Sequence, residues 1–88
     1  MIKRHIKRET VFSIIRSNWP IHITEIAEKM NLLKNDEERK AVIAHLSYHI
    51  RELVKKGKIK SKRIGKANVV WPSEVENIKA MRDFMENI

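Results

Sequence analysis

Residues 43–71 read IAHLSYHIRELVKKGKIKSKRIGKANVVW, and the hydrophobic period changes inside that stretch. Up to Lys56 the apolar side chains Ile43, Leu46, Ile50 and Leu53 recur at three- and four-residue steps, with Val42 and Val54 flanking them. That spacing predicts one buried stripe on a helix. Lys55 and Lys56 then precede Gly57. Cations favour the negative end of a helix, and glycine accepts the left-handed backbone that closes it. Beyond Gly57 the pattern alternates, Lys58, Lys60 and Lys62 with Ile59, Ser61 and Arg63, until Gly65 interrupts it. Val69, Val70 and Trp71 supply a second β-prone run that Pro72 stops. The expectation is a long helix leading straight into a β-hairpin whose tip, Lys62, Arg63 and Lys66, is basic.

Upstream, Asn35 and Glu38 have the spacing of a capping box, which starts the long helix near Asn35. A first helix is expected over about Lys7 to Asn18, with Val11, Phe12, Ile14 and Ile15 as its apolar face and Trp19-Pro20 as its stop. Ile21-His22-Ile23 alternates and predicts a very short strand. Thr24 is the expected N-cap of a second helix that runs to about Met30 and buries Ile26, Ala27 and Met30. Asn31 closes it, and Leu32 and Leu33 fold the turn onto the core. Downstream, Ser73 with Glu76 predicts another capping box and a last helix to the C-terminus. The predicted fold class is mainly α with a small β-hairpin: one domain over residues 1–72 and an additional C-terminal helix over 73–88.

The chain has 88 residues, a net charge of +8 and no cysteine. No disulfide framework, thiolate metal site or cysteine nucleophile is therefore available. A chain this short buries only about 60–70% of its unfolded surface, so a partner would help it. No apolar run reaches the roughly 18–20 residues of a membrane span, and Met1-Ile2-Lys3-Arg4-His5 lacks the apolar stretch of a signal peptide, so none is expected. A cytoplasmic protein is expected. Glycine-rich phosphate loops and recognisable acid–base constellations are missing, so an enzyme, a cofactor and a metal are not expected.

The excess charge is concentrated. Residues 51–66 carry Arg51, Lys55, Lys56, Lys58, Lys60, Lys62, Arg63 and Lys66 against Glu52 alone, whereas residues 73–88 are net acidic. A strip of that kind suits a polyanion.

In order, the elements are helix, short strand, helix, helix, hairpin, helix. Two segments carry a resemblance to a known family. Ile23-Thr24-Glu25-Ile26-Ala27-Glu28-Lys29-Met30 looks like the first helix of a winged helix-turn-helix pair. Ala44 to Ile59 resembles its recognition helix and the exit into the wing, ending in leucine, a charged pair, glycine and an apolar residue. The resemblance covers roughly residues 10–72 and is to the winged helix-turn-helix superfamily of small bacterial, archaeal or viral transcription regulators. It implies binding to double-stranded DNA, with the long helix in the major groove and the wing along the backbone or minor groove. The chain departs from the pattern in the longer turn Asn31 to Glu37, which puts Asp36, Glu37 and Glu38 at the start of the recognition helix.

At 100° per residue the helix face opposite Ile43, Leu46 and Ile50 carries Ala41, Ala44, Tyr48, Arg51 and Lys55, flanked by Lys40, His45 and Ser47. The candidate DNA-binding set is therefore Lys40, Ala44, His45, Ser47, Tyr48, Arg51 and Lys55 on the helix with Lys60, Lys62, Arg63 and Lys66 on the hairpin. Alanines permit close approach, and the arginine fork suits guanine or phosphate oxygens. The plainer alternatives are a solvated helix face and edge-strand lysines that block sheet-to-sheet aggregation. His45 and His49 stand four apart, a metal-compatible spacing without a third ligand, and surface histidines are the simpler expectation. Lys3, Arg4, Lys7 and Arg8 form a second basic cluster, either solvated or touching a backbone. Val75, Ile78, Met81, Phe84, Met85 and Ile88 form a seam for a homodimer or for packing against the first helix. A different class of function, a winged-helix adaptor that binds an acidic protein partner, is favoured by the acids at the start of the long helix. The sequence leaves any small-molecule effector open.

Overall fold

The computed structural model describes residues 6–87. Its elements are α1 (Arg8–Ser17), β1 (Ile21–His22), α2 (Ile23–Lys29), α3 (Asp36–Lys55), β2 (Ile59–Ile64), β3 (Ala67–Pro72), a 3-10 turn (Ser73–Val75) and α4 (Lys79–Glu86). The strands form one antiparallel sheet in the order β1-β3-β2. The fold is thus mainly helical with a small three-stranded sheet.

Both helix ends anticipated from sequence close by the same motif. At the end of α3 the Gly57 N–H donates to the Val54 carbonyl and the Lys58 N–H to the Leu53 carbonyl, with Gly57 at φ +74°. At the end of α2 the Asn31 and Leu32 N–H groups bond Glu28 and Ala27 in the same way, and Asn31 takes φ +61°. These paired bonds satisfy carbonyls that the helix itself leaves open. Gly65 supplies the positive φ at the first position of the two-residue hairpin turn.

The start of α2 differs from expectation. His22, not Thr24, is the cap residue: the Glu25 carboxylate accepts the His22 N–H at 3.4 Å and lies 3.2 Å from its Nε2. The reason is the sheet. Ile21 and His22 pair with Val70 and Val69, so the chain passes from strand to helix with no intervening residue. Asn35 does cap α3, but its side chain accepts from Glu37 N–H at 2.9 Å rather than building a box with Glu38.

One core joins α1, α2, α3 and the sheet through Val11, Ile15, Ile21, Ile26, Leu46, Leu53, Ile59 and Val70. The buried stripe of α3 is Val42, Leu46, His49, Ile50 and Leu53, with Ile43 only half-buried. The helix is therefore rotated slightly from the orientation the apolar spacing suggests. A histidine occupies the place that an aliphatic residue would otherwise take.

The C-terminal segment also departs from expectation. Ser73 does not cap a helix; its hydroxyl donates to the Gly57 carbonyl at 2.8 Å, and its N–H bonds Lys58. Held there, the chain makes only a 3-10 turn, and α4 begins six residues later without a side-chain cap. Met81 is wholly buried and Val75 nearly so against Trp71, with Phe84 and Met85 beside them and the Trp71 and Phe84 rings edge to face at 6.5 Å. The indole Nε1 of Trp71 is buried there without an acceptor among the described residues. Much of the expected seam thus packs on β3 and Trp19 of its own chain rather than on α1, while Ile78 stays 46% exposed. Ile88 lies outside the described residues.

Truncating a wholly buried methionine removes packing that an exposed isoleucine never made. Met81→Ala is expected to lower the unfolding free energy by about 2–5 kcal/mol and Ile78→Ala by no more than about 0.5 kcal/mol, measured by urea denaturation.

Candidate nucleic-acid interface

α3 is 20 residues long, roughly 30 Å at 1.5 Å per residue. Its outward strip is Ala41, Ala44, Tyr48, Arg51 and Lys55, all exposed, with Lys40 near its start. Ser47 and Ile43 lie on the flank facing the hairpin, and His45 on the other. On the hairpin side an open trough runs between helix and sheet. One part, about 410 Å³, is lined by Ser47, Arg51, Val54, Lys55, Ser61 and Asn68 among others. The adjoining part, about 570 Å³, is lined by His22, Thr24, Ile43, Ser47, Arg63, Lys66 and Asn68 among others. Ile23, Ser47 and Asn68 border both, so the two are continuous.

The hairpin divides its cations by strand parity. In an antiparallel pair directly opposed residues share a face, and neighbours along a strand alternate. Ile59, Ser61 and Arg63 oppose Pro72, Val70 and Asn68, which is the face that meets the core and then the trough. Lys60 and Lys62 oppose Trp71 and Val69, so they stand on the α4 side of the sheet. Arg63 and Lys66 are therefore brought together with Arg51 and Lys55, whereas Lys60 and Lys62 are not. Asn68, His22 and Thr24 also wall the trough, and none of them belongs to the candidate set. Asn68 was findable by counting strand parity from Arg63.

The trough is electrostatically uncompensated. Among the described residues Arg51, Arg63 and Lys66 take part in no ion pair, and Lys55 meets Glu52 only at 3.9 Å. An exposed pair at that distance is screened and neutralises little. Arg63 Nε donates to the Gly65 carbonyl at 3.4 Å, which steadies the tip. Hydroxyl, amide and cationic groups around an open trough can hold a row of anionic oxygens.

The other flank of α3 corrects the expectation of two surface histidines. His49 is 8% exposed. Its Nδ1 accepts from Arg8 Nε at 3.2 Å, and its Nε2 lies 3.1 Å from the Ile6 carbonyl. An arginine N–H can be accepted only by a bare ring nitrogen, which places the proton on Nε2, where it serves Ile6. His45 stacks on the same ring at 5.4 Å. Among the described residues no group of three or more histidine, aspartate or glutamate side chains is arranged to hold a metal. Lys3 and Arg4 of the second basic cluster lie outside the described residues.

Comparison of the chain with protein-family models, with curated proteins and with solved structures finds no match. No helix among the described residues is long and apolar enough to cross a membrane.

Because His49 satisfies a buried backbone carbonyl, His49→Leu is expected to cost about 1–3 kcal/mol of stability. His45→Leu, with no such bond, should stay within about 0.5 kcal/mol in the same thermal melts.

Proposed function

We propose that this chain is a winged helix-turn-helix protein that binds double-stranded DNA as a transcription regulator. The observation that carries this reading is the trough between α3 and the hairpin, walled by Arg51, Lys55, Arg63 and Lys66 with almost no opposing carboxylate. The succession of helix, strand, two helices and hairpin, with the sheet order β1-β3-β2, supports it as the arrangement expected of a winged helix. In this reading the strip of Ala44, Tyr48 and Arg51 enters the major groove, where small side chains admit the backbone and the arginine fork meets base or phosphate oxygens. Arg63 and Lys66 follow the phosphates that border the groove and fix register rather than sequence.

The acids at the start of α3 fit this geometry. Asp36, Glu37 and Glu38 lie in the first turn, and Arg51 is roughly 21 Å further along the axis from Glu37. That is more than two Debye lengths at physiological salt, about 8 Å each. The acids stabilise the positive end of the helix dipole and, at that separation, leave the charge of Arg51 uncancelled. In this reading the groove meets the helix from Ala44 onward, beyond its acidic first turn.

Each phosphate neutralised releases condensed counterions, so affinity should fall steeply with salt. Anisotropy of a labelled duplex titrated at several salt concentrations is expected to give a log–log slope of about −4 to −7. Arg63→Gln with Lys66→Gln should make the slope shallower by about 2, and Lys79→Gln on α4 should not change it. A duplex that fails to bind even at low salt contradicts this reading. A protein with an acidic surface would then be the partner these cations meet.

A further inference from the structure

Arg8 is held in place but not neutralised. It is the first residue of α1, where the helix dipole disfavours a cation. Its Nε donates to the uncharged Nδ1 of His49, and its guanidinium carbon lies 5.5 Å from the centroid of the Tyr48 ring. No ion pair among the described residues includes it. A carboxylate would have fixed the side chain equally well and cancelled its charge. An imidazole and an aromatic face fix it and leave the charge, and the four hydrogens on its two terminal nitrogens remain to be shared.

Position completes the case. Tyr48 is 47% exposed on the outward strip of α3, and Arg8 approaches it from the His49 side. Ser47 and Ile43, which wall the trough, lie on the other flank. Lys56 and Lys58 border the same recess as Arg8, together with Glu9, which takes part in no ion pair among the described residues. Cations therefore stand on both sides of one exposed helix: Arg63 and Lys66 across the trough, Arg8 and Lys56 opposite. A helix seated in a major groove about 12 Å wide lies between two phosphate backbones.

We propose that Arg8, braced by His49 and Tyr48, binds a phosphate of the DNA strand opposite the one met by the hairpin, so that α3 is clamped from both sides. This rests on the DNA-binding reading above and adds a contact to it. The brace matters because an arginine already ordered loses less freedom when it meets an anion.

The test is the salt dependence of binding to a labelled random-sequence duplex, at a temperature where melting curves show every variant folded. Arg8→Gln is expected to weaken binding about tenfold at low salt and to make the log–log slope shallower by about 0.9, one phosphate's worth. Arg8→Lys keeps the charge but changes the bond to His49, and it should retain the slope of the unsubstituted protein. If Arg8→Gln leaves affinity and slope unchanged while the unsubstituted protein binds steeply, the clamp is wrong and the DNA-binding reading stands. If Arg8→Lys is as impaired as Arg8→Gln, the residue acts only by bracing the fold, and the clamp is again overturned. If the unsubstituted protein does not bind, both fall.

Discussion

The turn at Gly57 sets the hairpin against α3 and so gives the trough between them its shape. There α3 ends and the hairpin begins, with a left-handed residue between them. The Gly57 and Lys58 N–H groups are drawn back onto Val54 and Leu53, while Ser73 returns from the far end of β3 to bond the Gly57 and Lys58 carbonyls. The hairpin is thus fastened at both of its ends to one point on the helix. Ile59 and Val70, fully buried, press its base against the core. The free part, from Ser61 to Asn68, has to project beside the outer half of α3. The trough follows from that fastening and not from any feature of the trough itself.

Charge is arranged along the molecule in keeping with this geometry. The first turn of α3 holds three acids where the helix dipole favours them, and the last turn and the hairpin hold cations. The exposed ion pairs Arg16–Glu74, between α1 and the 3-10 turn, and Lys79–Asp83, on α4, lie away from the trough. Pairs of that kind add little to stability. At the trough, His22 meets Glu25 and Lys55 meets Glu52, while Arg51, Arg63 and Lys66 take part in no ion pair among the described residues.

How much of this could be read from the sequence depends on how local each signal is. The change of period at Gly57, the glycine at the hairpin turn and the stop at Pro20 are determined within a few residues, and the first three helices and both long strands lie where those signals put them. Long-range pairing was less legible. His22 caps α2 because β1 has joined β3, and Ser73 binds Gly57 because β3 has brought it back; neighbouring residues carry no trace of either. His49 sits at a spacing an amphipathic analysis treats as flank, and only the arrival of Ile6 and Arg8 makes a buried imidazole favourable there. The candidate site was similarly half visible. Helical spacing found the outward strip of α3, but a count of lysines on the hairpin could not separate Arg63 from Lys62, which strand parity puts on opposite faces. The apolar spacing of α4 was plain, yet it could not say that Trp71 of the same chain would fill much of its seam.

Binding of a ligand in the trough is tested most directly by mapping backbone amide shifts by NMR while a DNA duplex is added. Shifts concentrated at Ser47, Arg51, Lys55, Arg63, Lys66 and Asn68, with α4 unmoved, are the predicted result. Shifts confined to α4 and the far end of α1, or none at saturating duplex, would contradict it.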